Sequence, residues 1–145
     1  MKYSCDITID LPRARVIELF DNADNMSKWQ EGLQSFEPLE GEPGTKGATS
    51  KIHYKMGKRD IRMVETIVTS NFPDEFSATY ETQGVWNIVE NHFSETDAGG
   101  TQWHIDTEFR CSGFLKIMAF LMPGMFRKQT QKMMSDFKSF AEKQR

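Results

Sequence analysis

Residues 120–143 read FLMPGMFRKQTQKMMSDFKSFAEK, and the reading of this stretch decides the fold. Phe126, Thr130, Met133, Phe137 and Phe140 recur at intervals of four, three, four and three, the period of one helical face. Lys128, Gln131, Lys132, Lys138 and Lys143 fall on the opposite face. The spacing predicts an amphipathic helix from near Gly113 to about Lys143. Its interruption is unusual. Pro123 and Gly124, the two poorest helix formers, stand together among Phe120, Leu121, Met122, Met125 and Phe126.

A helix apolar on one side needs a surface to cover, and the preceding residues supply one. From Ala48 to Cys111 the chain reads as strands separated by short turns at Gly57-Lys58, Asn71 to Asp74, Gln83-Gly84 and Asp97 to Gly100. Short turns join antiparallel neighbours. Further upstream, Tyr3, Cys5, Ile7 and Ile9 alternate with Ser4, Asp6 and Thr8 as in a half-buried strand. Asp10 then stands where it could cap a short helix with Pro12 in its first turn, ending about Phe20. Asp21 to Trp29 reads as a second short helix or turn, with Asn22 or Asp24 as its cap. A strand near Leu33 to Leu39 precedes a loop containing Gly41, Pro43, Gly44 and Gly47. The order is one strand, two short helices, six strands and a long helix. This is an α+β pattern in which an antiparallel sheet of about seven strands buries a face against the final helix.

Turn positions fix register, and register fixes which side chains share a face. The Gly57-Lys58 turn sets Tyr54 opposite Ile61, Ile52 opposite Met63, Ser50 opposite Glu65 and Lys55 opposite Asp60. The next turns set Glu65 opposite Tyr80, Ile67 opposite Ala78, Tyr80 opposite Asn87 and Ala78 opposite Val89. The last sets Phe93 opposite Trp103, Asn91 opposite Ile105 and Asn87 opposite Phe109. The shared face is mostly apolar, but Ser50, Glu65, Tyr80 and Asn87 form a polar row across it. A buried carboxylate is costly unless paired or protonated. The row is therefore either a self-satisfying cluster, with Tyr80 and Ser50 donating to Glu65 and Asn87 bridging, or a polar patch that orients a ligand in an apolar cavity.

Composition narrows the function. The 145 residues read as one domain, 1–145, with a net charge of −3 that favours no nucleic-acid partner. The two cysteines, Cys5 and Cys111, are too few for a disulfide scaffold, and no CxxC motif suggests zinc. Without an apolar signal core at its N-terminus the chain reads as cytoplasmic, and Phe114 to Phe126, interrupted by Lys116, is too short to span a bilayer. His53, His92 and His104 fall on the outward face, where they offer neither a metal site nor a general base; no cofactor is implied. Trp86 and Ile88 also face outward, which fits a homodimer contact or a register error. Trp29 is read as packing the short helices onto the sheet edge.

The stretches ITIDLPRARVIELFDNADNMSKWQEGL, LEGEPGTKGA, ETQGVWNIVENHF and MPGMFRKQTQKMMSDFKSFAE, spread over nearly the whole chain, resemble the START-like (SRPBCC) helix-grip superfamily. Within it they look most like the polyketide cyclase/dehydrase branch. That resemblance implies a curved seven-stranded sheet wrapped around the C-terminal helix, with a cavity between them for hydrophobic molecules. Some relatives bind sterols, lipids or plant hormones, and others cyclise or dehydrate polyketides. The resemblance carries no catalytic motif onto particular residues, and fold does not fix function.

On this reading the expected ligand contacts are Ser50, Tyr54, Met63, Glu65, Tyr80, Asn87, Asn91, Trp103 and Phe109 from the sheet. Met118, Met122 and Phe126 would join them from the C-terminal region, where Phe114, Leu115, Ile117, Met118, Phe120, Leu121 and Met122 would bend at Pro123-Gly124 over the cavity mouth. The expected function is binding of a small hydrophobic molecule, as carrier or sensor. One alternative is a cyclase or dehydratase using Glu65 as acid/base, with Tyr80 or Asn87 steadying an enolate oxygen. Another is a protein-interaction or homodimerisation module.

Overall fold

The computed structural model describes residues 1–122 and 124–145. The chain runs β1 (Lys2–Ile9), α1 (Arg13–Phe20), a 3-10 turn (Ala23–Asn25), α2 (Met26–Trp29), β2 (Leu33–Glu40), β3 (Thr49–Met56), β4 (Arg59–Asn71), β5 (Glu75–Thr82), β6 (Val85–Glu95), β7 (Thr101–Cys111), α3 (Phe114–Leu121) and α4 (Gly124–Glu142). The strands form one antiparallel seven-stranded sheet in the order β1-β7-β6-β5-β4-β3-β2. The two short helices lie between β1 and β2, as expected.

Every cross-strand pair expected from the turns is present. Ser50 lies opposite Glu65, Glu65 opposite Tyr80, Tyr80 opposite Asn87 and Phe93 opposite Trp103. Lys55 is opposite Asp60, but the Asp60 carboxylate accepts from His53 Nε2 at 2.8 Å instead. The first strand closes the sheet against the last, with Cys5 opposite Ile105.

The core sits where α1, α2 and α4 cover the β1-β7-β6 end of the sheet. Val16 and Leu19 of α1, Trp29 of α2, and Met134, Phe137 and Ala141 of α4 pack with Cys5, Ile9, Phe93, Trp103 and Ile105. Phe20 is the hub of an aromatic cluster, its ring against those of Trp29, Phe93, Trp103 and Phe137. Polar bonds tie α4 along β1. Tyr3 Oη lies 2.7 Å from Thr130 Oγ1, and Lys138 Nζ donates to Thr8 O at 2.6 Å.

At the helix ends one expectation is corrected, one is decided between its two alternatives, and one is refined. Asp10 does not cap α1: the cap position is Pro12, which makes no side-chain bond, and Asp10 is too far upstream to reach the free amides of the first turn. Its own amide donates to Glu142 Oε2 at 2.8 Å, and its carboxylate accepts from Arg145. Asn22, rather than Asp24, caps the following turn by accepting from Asp24 N at 3.0 Å. The single long terminal helix is two helices, with Met122 between them in neither; Pro123 and the Phe114 side chain, parts of the expected bend and cover, lie outside the described residues.

The outward face is polar and paired. His104 sits between Asp6 (Nδ1, 2.7 Å) and Asp106 (Nε2, 2.9 Å), and these bonds, led by that to Asp6, raise its pKa. Among the described residues no group of His, Cys, Asp and Glu is arranged to hold a metal ion. The Arg110 guanidinium lies 4.6 Å from the centroid of the Trp86 ring and covers it, so this outward tryptophan has a partner within the chain. Both cysteines are free thiols.

Candidate functional site

A cavity of about 780 Å³ lies between the concave face of the sheet and α4, within the size range of small-molecule sites. Strand alternation builds its wall: each second residue of β3, β4, β6 and β7 faces in. Ser50, Ile52 and Tyr54 come from β3, Ile61, Met63, Glu65 and Ile67 from β4, Asn87, Val89 and Asn91 from β6, and Trp103, Ile105, Thr107 and Phe109 from β7. β5 adds Phe76 and Tyr80. The other side is formed by Phe20, Met26, Trp29 and Gln30 around α2, Pro43 to Thr45 in the β2–β3 loop, and Gln129, Thr130 and Met133 on α4.

The polar row Ser50, Glu65, Tyr80 and Asn87 is present, but Asn87 is bonded differently from Glu65 and Tyr80. Glu65 is only 7% exposed. Burial pushes its carboxyl above the ordinary range, while a hydrogen bond from Tyr80 pulls it back. The Tyr80 phenol is raised well above its usual value by burial and by the neighbouring Glu65. Burial likewise raises Tyr54, whose hydroxyl donates to Gln30 Oε1. These three residues form a polar patch on a largely apolar wall, with Ser50 paired across from Glu65.

Asn87 and Asn91 line the cavity too, yet their amides serve the wall. Asn87 does not bridge to Glu65. Its Nδ2 donates to Thr107 Oγ1 at 2.8 Å and to Glu108 O at 2.9 Å, because β7 offers acceptors on the side away from β5. Asn91 Nδ2 donates to Phe76 O at 3.0 Å, and its Oδ1 accepts from Trp103 Nε1 at 3.0 Å. Trp29 differs: its indole N–H is buried with no acceptor, the one such side-chain atom among the described residues. An unpaired buried donor costs roughly 1–3 kcal/mol.

Nine of the expected contact residues, those on the sheet, line the cavity together. The three from the C-terminal region do not. Met118 and Met122 are not among the lining residues, and α3 packs beside β7. Gly113, at φ +60, leads into α3 just after Ser112 N bonds Gly84 O at 2.9 Å. Phe126 packs against the wall residue Phe109, their ring centroids 4.8 Å apart, without lining the cavity itself. Sequence reasoning passed over Phe20, Gln30 and the Pro43 to Thr45 loop. Thr130 and Met133 did carry a signal, since both lie on the helical stripe read from the sequence.

The Glu65 pKa has a stability consequence. A carboxyl raised in the folded state stabilises the fold fully below its unfolded pKa, and that contribution is lost as pH rises through the folded pKa. Glu65→Gln is therefore expected to melt close to wild type at about pH 4 and above it at about pH 8. Parallel melting curves across that range check this; a constant offset would remove the buried ionisation as the cause.

Three solved structures share this arrangement. That of Ara h 8.0201 matches with a TM-score of 0.76 at 14% identity, covering 99% of this chain and 98% of its own. A conserved protein from Geobacillus kaustophilus matches with a TM-score of 0.82 at 14% identity, covering 99% and 96%. The Zhui aromatase/cyclase from Streptomyces sp. R1128 matches with a TM-score of 0.77 at 14% identity, covering 98% and 93%. At such identities the likeness establishes the fold alone. No curated protein sequence matches the chain. The sequence profile of the family described as polyketide cyclase / dehydrase and lipid transport matches residues 2–142. With a sheet that grips a terminal helix over an apolar cavity, and that match over nearly its whole length, the chain belongs to the polyketide cyclase/dehydrase and lipid transport family of the START-like superfamily.

Proposed function

We propose that this protein binds a small, mainly apolar molecule carrying one polar group, as a carrier or sensor. The observation that carries this reading is the 780 Å³ cavity in which Glu65, Tyr80 and Tyr54 form one polar patch. A ligand burying about 300 Å² of apolar surface would gain about 7 kcal/mol before the costs of ordering. The patch then selects orientation. Neutral Glu65 donates to a carbonyl or ether oxygen, and its ionised form accepts from a hydroxyl. Asn87 and Asn91 hold the wall that presents the patch.

Native mass spectrometry of the freshly purified protein, set beside its denatured mass, tests for cargo. Occupancy is tested by Met63→Trp, which places a large ring in the cavity. Affinity for an apolar dye such as anilinonaphthalene sulfonate is expected to fall about tenfold or more, with the circular dichroism spectrum retained. An unchanged dye affinity would mean that the cavity is not where apolar molecules bind.

The second reading is a cyclase or dehydratase. It is favoured by the raised carboxyl of Glu65 beside Tyr80 inside a cavity, since such shifts gather at catalytic sites. Glu65 would move the proton and Tyr80 would donate to a developing enolate oxygen. Turnover of a poly-β-ketone that falls about a hundredfold or more in Glu65→Gln, with binding retained, supports it; turnover equal in both proteins sinks it.

A further inference from the structure

α3 is apolar on both sides. Leu115, Met118 and Ala119 are half-buried toward the fold, while Ile117 (56% exposed), Phe120 (84%) and Leu121 (66%) project outward at i, i+3 and i+4. Met122 at the end of α3 and Met125 in the first turn of α4 are exposed too. Single exposed apolar residues are ordinary, but a contiguous group marks a surface for a partner.

The charges around the patch identify that partner. Residues 112–135 contain no Asp or Glu, in a chain whose net charge is −3. Lys132 is neutralised by Glu31 and Asp136. Lys116, Arg127 and Lys128 are exposed, and among the described residues they have no ion-pair partner. Lys116 stands one turn before Phe120, and Lys128 one turn after Met125, so cations border the apolar side chains at both ends. A second copy of the chain meeting this patch by two-fold symmetry would bring like charges together. An anionic bilayer surface accepts both features, taking the apolar side chains below its headgroups and pairing the cations with lipid phosphates.

We propose that α3 and the first turn of α4 dock this protein on anionic lipid bilayers. The docking lies flat on the surface, since no helix among the described residues is long and apolar enough to cross a membrane. The first turn of α4 lies beside the cavity: the ring of Phe126 is tilted against that of Phe109, a wall residue, at 4.8 Å between centroids. Docking therefore brings one end of the cavity to the lipid. The inference stands on the patch and its charges, and vesicle binding is measured without any cargo, so it can fail while the cavity reading survives.

The test is co-sedimentation with vesicles of phosphatidylcholine containing about 30% phosphatidylglycerol, beside pure phosphatidylcholine vesicles. Wild-type protein is expected to bind the anionic vesicles at least about tenfold more tightly, and less so as salt rises. The paired substitution Phe120→Asp with Leu121→Asp, at exposed positions that leave the fold intact by circular dichroism, is expected to weaken binding about tenfold or more. Lys116→Glu with Lys128→Glu is expected to do the same and flatten the salt dependence. Equal sedimentation with and without vesicles overturns the proposal. So does a dimer in sedimentation velocity that Phe120→Asp dissociates and that vesicles do not displace.

Discussion

Phe137→Ala is expected to destabilise the protein by about 3–5 kcal/mol, the range for deleting a buried aromatic ring. Phe137 is fully buried on α4, and its ring meets Trp29 at 4.9 Å, Trp103 at 5.4 Å and Phe20 at 5.8 Å between centroids. Those three rings come from α2, β7 and α1, so one side chain joins the terminal helix to both the sheet and the short helices. Removing it leaves a void contiguous with the ligand cavity, which the surrounding rings cannot all close around. The loss is a large share of the 5–15 kcal/mol typical of a native protein. Urea titration followed by circular dichroism measures it. Phe137→Leu is expected to cost roughly half as much. A midpoint shift worth under about 1 kcal/mol for Phe137→Ala would show that α4 is held chiefly by its polar bonds to β1.

Asn91→Ala is expected to cost about 2–4 kcal/mol, more than exchanging an ordinary cavity-lining side chain. Asn91 is buried; its carbonyl oxygen accepts from Trp103 Nε1 and its amide donates to Phe76 O. Alanine leaves a buried indole N–H without its acceptor and removes the side-chain bond to the Phe76 carbonyl. It also unlocks the Trp103 ring, which packs on Phe93 and Phe137. The Trp103 indole proton, followed by NMR, is expected to exchange faster with solvent in Asn91→Ala. An exchange rate and a urea midpoint both equal to wild type would return Asn91 to the role of a free ligand contact.

Asn91 also shows where sequence reading stopped. Which face it occupies followed from turn positions and strand alternation, and the pairs from Ser50–Glu65 to Phe93–Trp103 are those the turns imply. Its partners did not follow, because an inward amide can turn to a ligand or to the neighbouring strand. Asn87 is a second case: β7 supplies Thr107 as its acceptor, and no local pattern announces it. The direction of α3 was equally hidden. A helix apolar on both sides has no periodicity that says which side is covered, so Met118 and Met122 were placed over the cavity. The glycine at 113, at φ +60 just before α3, is visible in the sequence, but not the angle at which α3 leaves it. By contrast, Phe137 and Met133 were readable from spacing alone, because a four-three repeat leaves one face for a helix to bury.

The pairing of β1 with β7 sets the order in which the molecule can be assembled. Tyr3 meets Thr107 and Cys5 meets Ile105, across most of the sheet's stretch of sequence, and α4 then packs along β1. During synthesis the first strand therefore emerges long before the edge it will join exists. The hairpins from β2 to β6 can form as they appear, each from neighbours a few residues apart. β1 must wait, an unpaired strand open to other chains, until β7 and α4 are released. Closing so long a loop is slow, and a strand kept waiting in this way is a segment that a nascent-chain chaperone would shield.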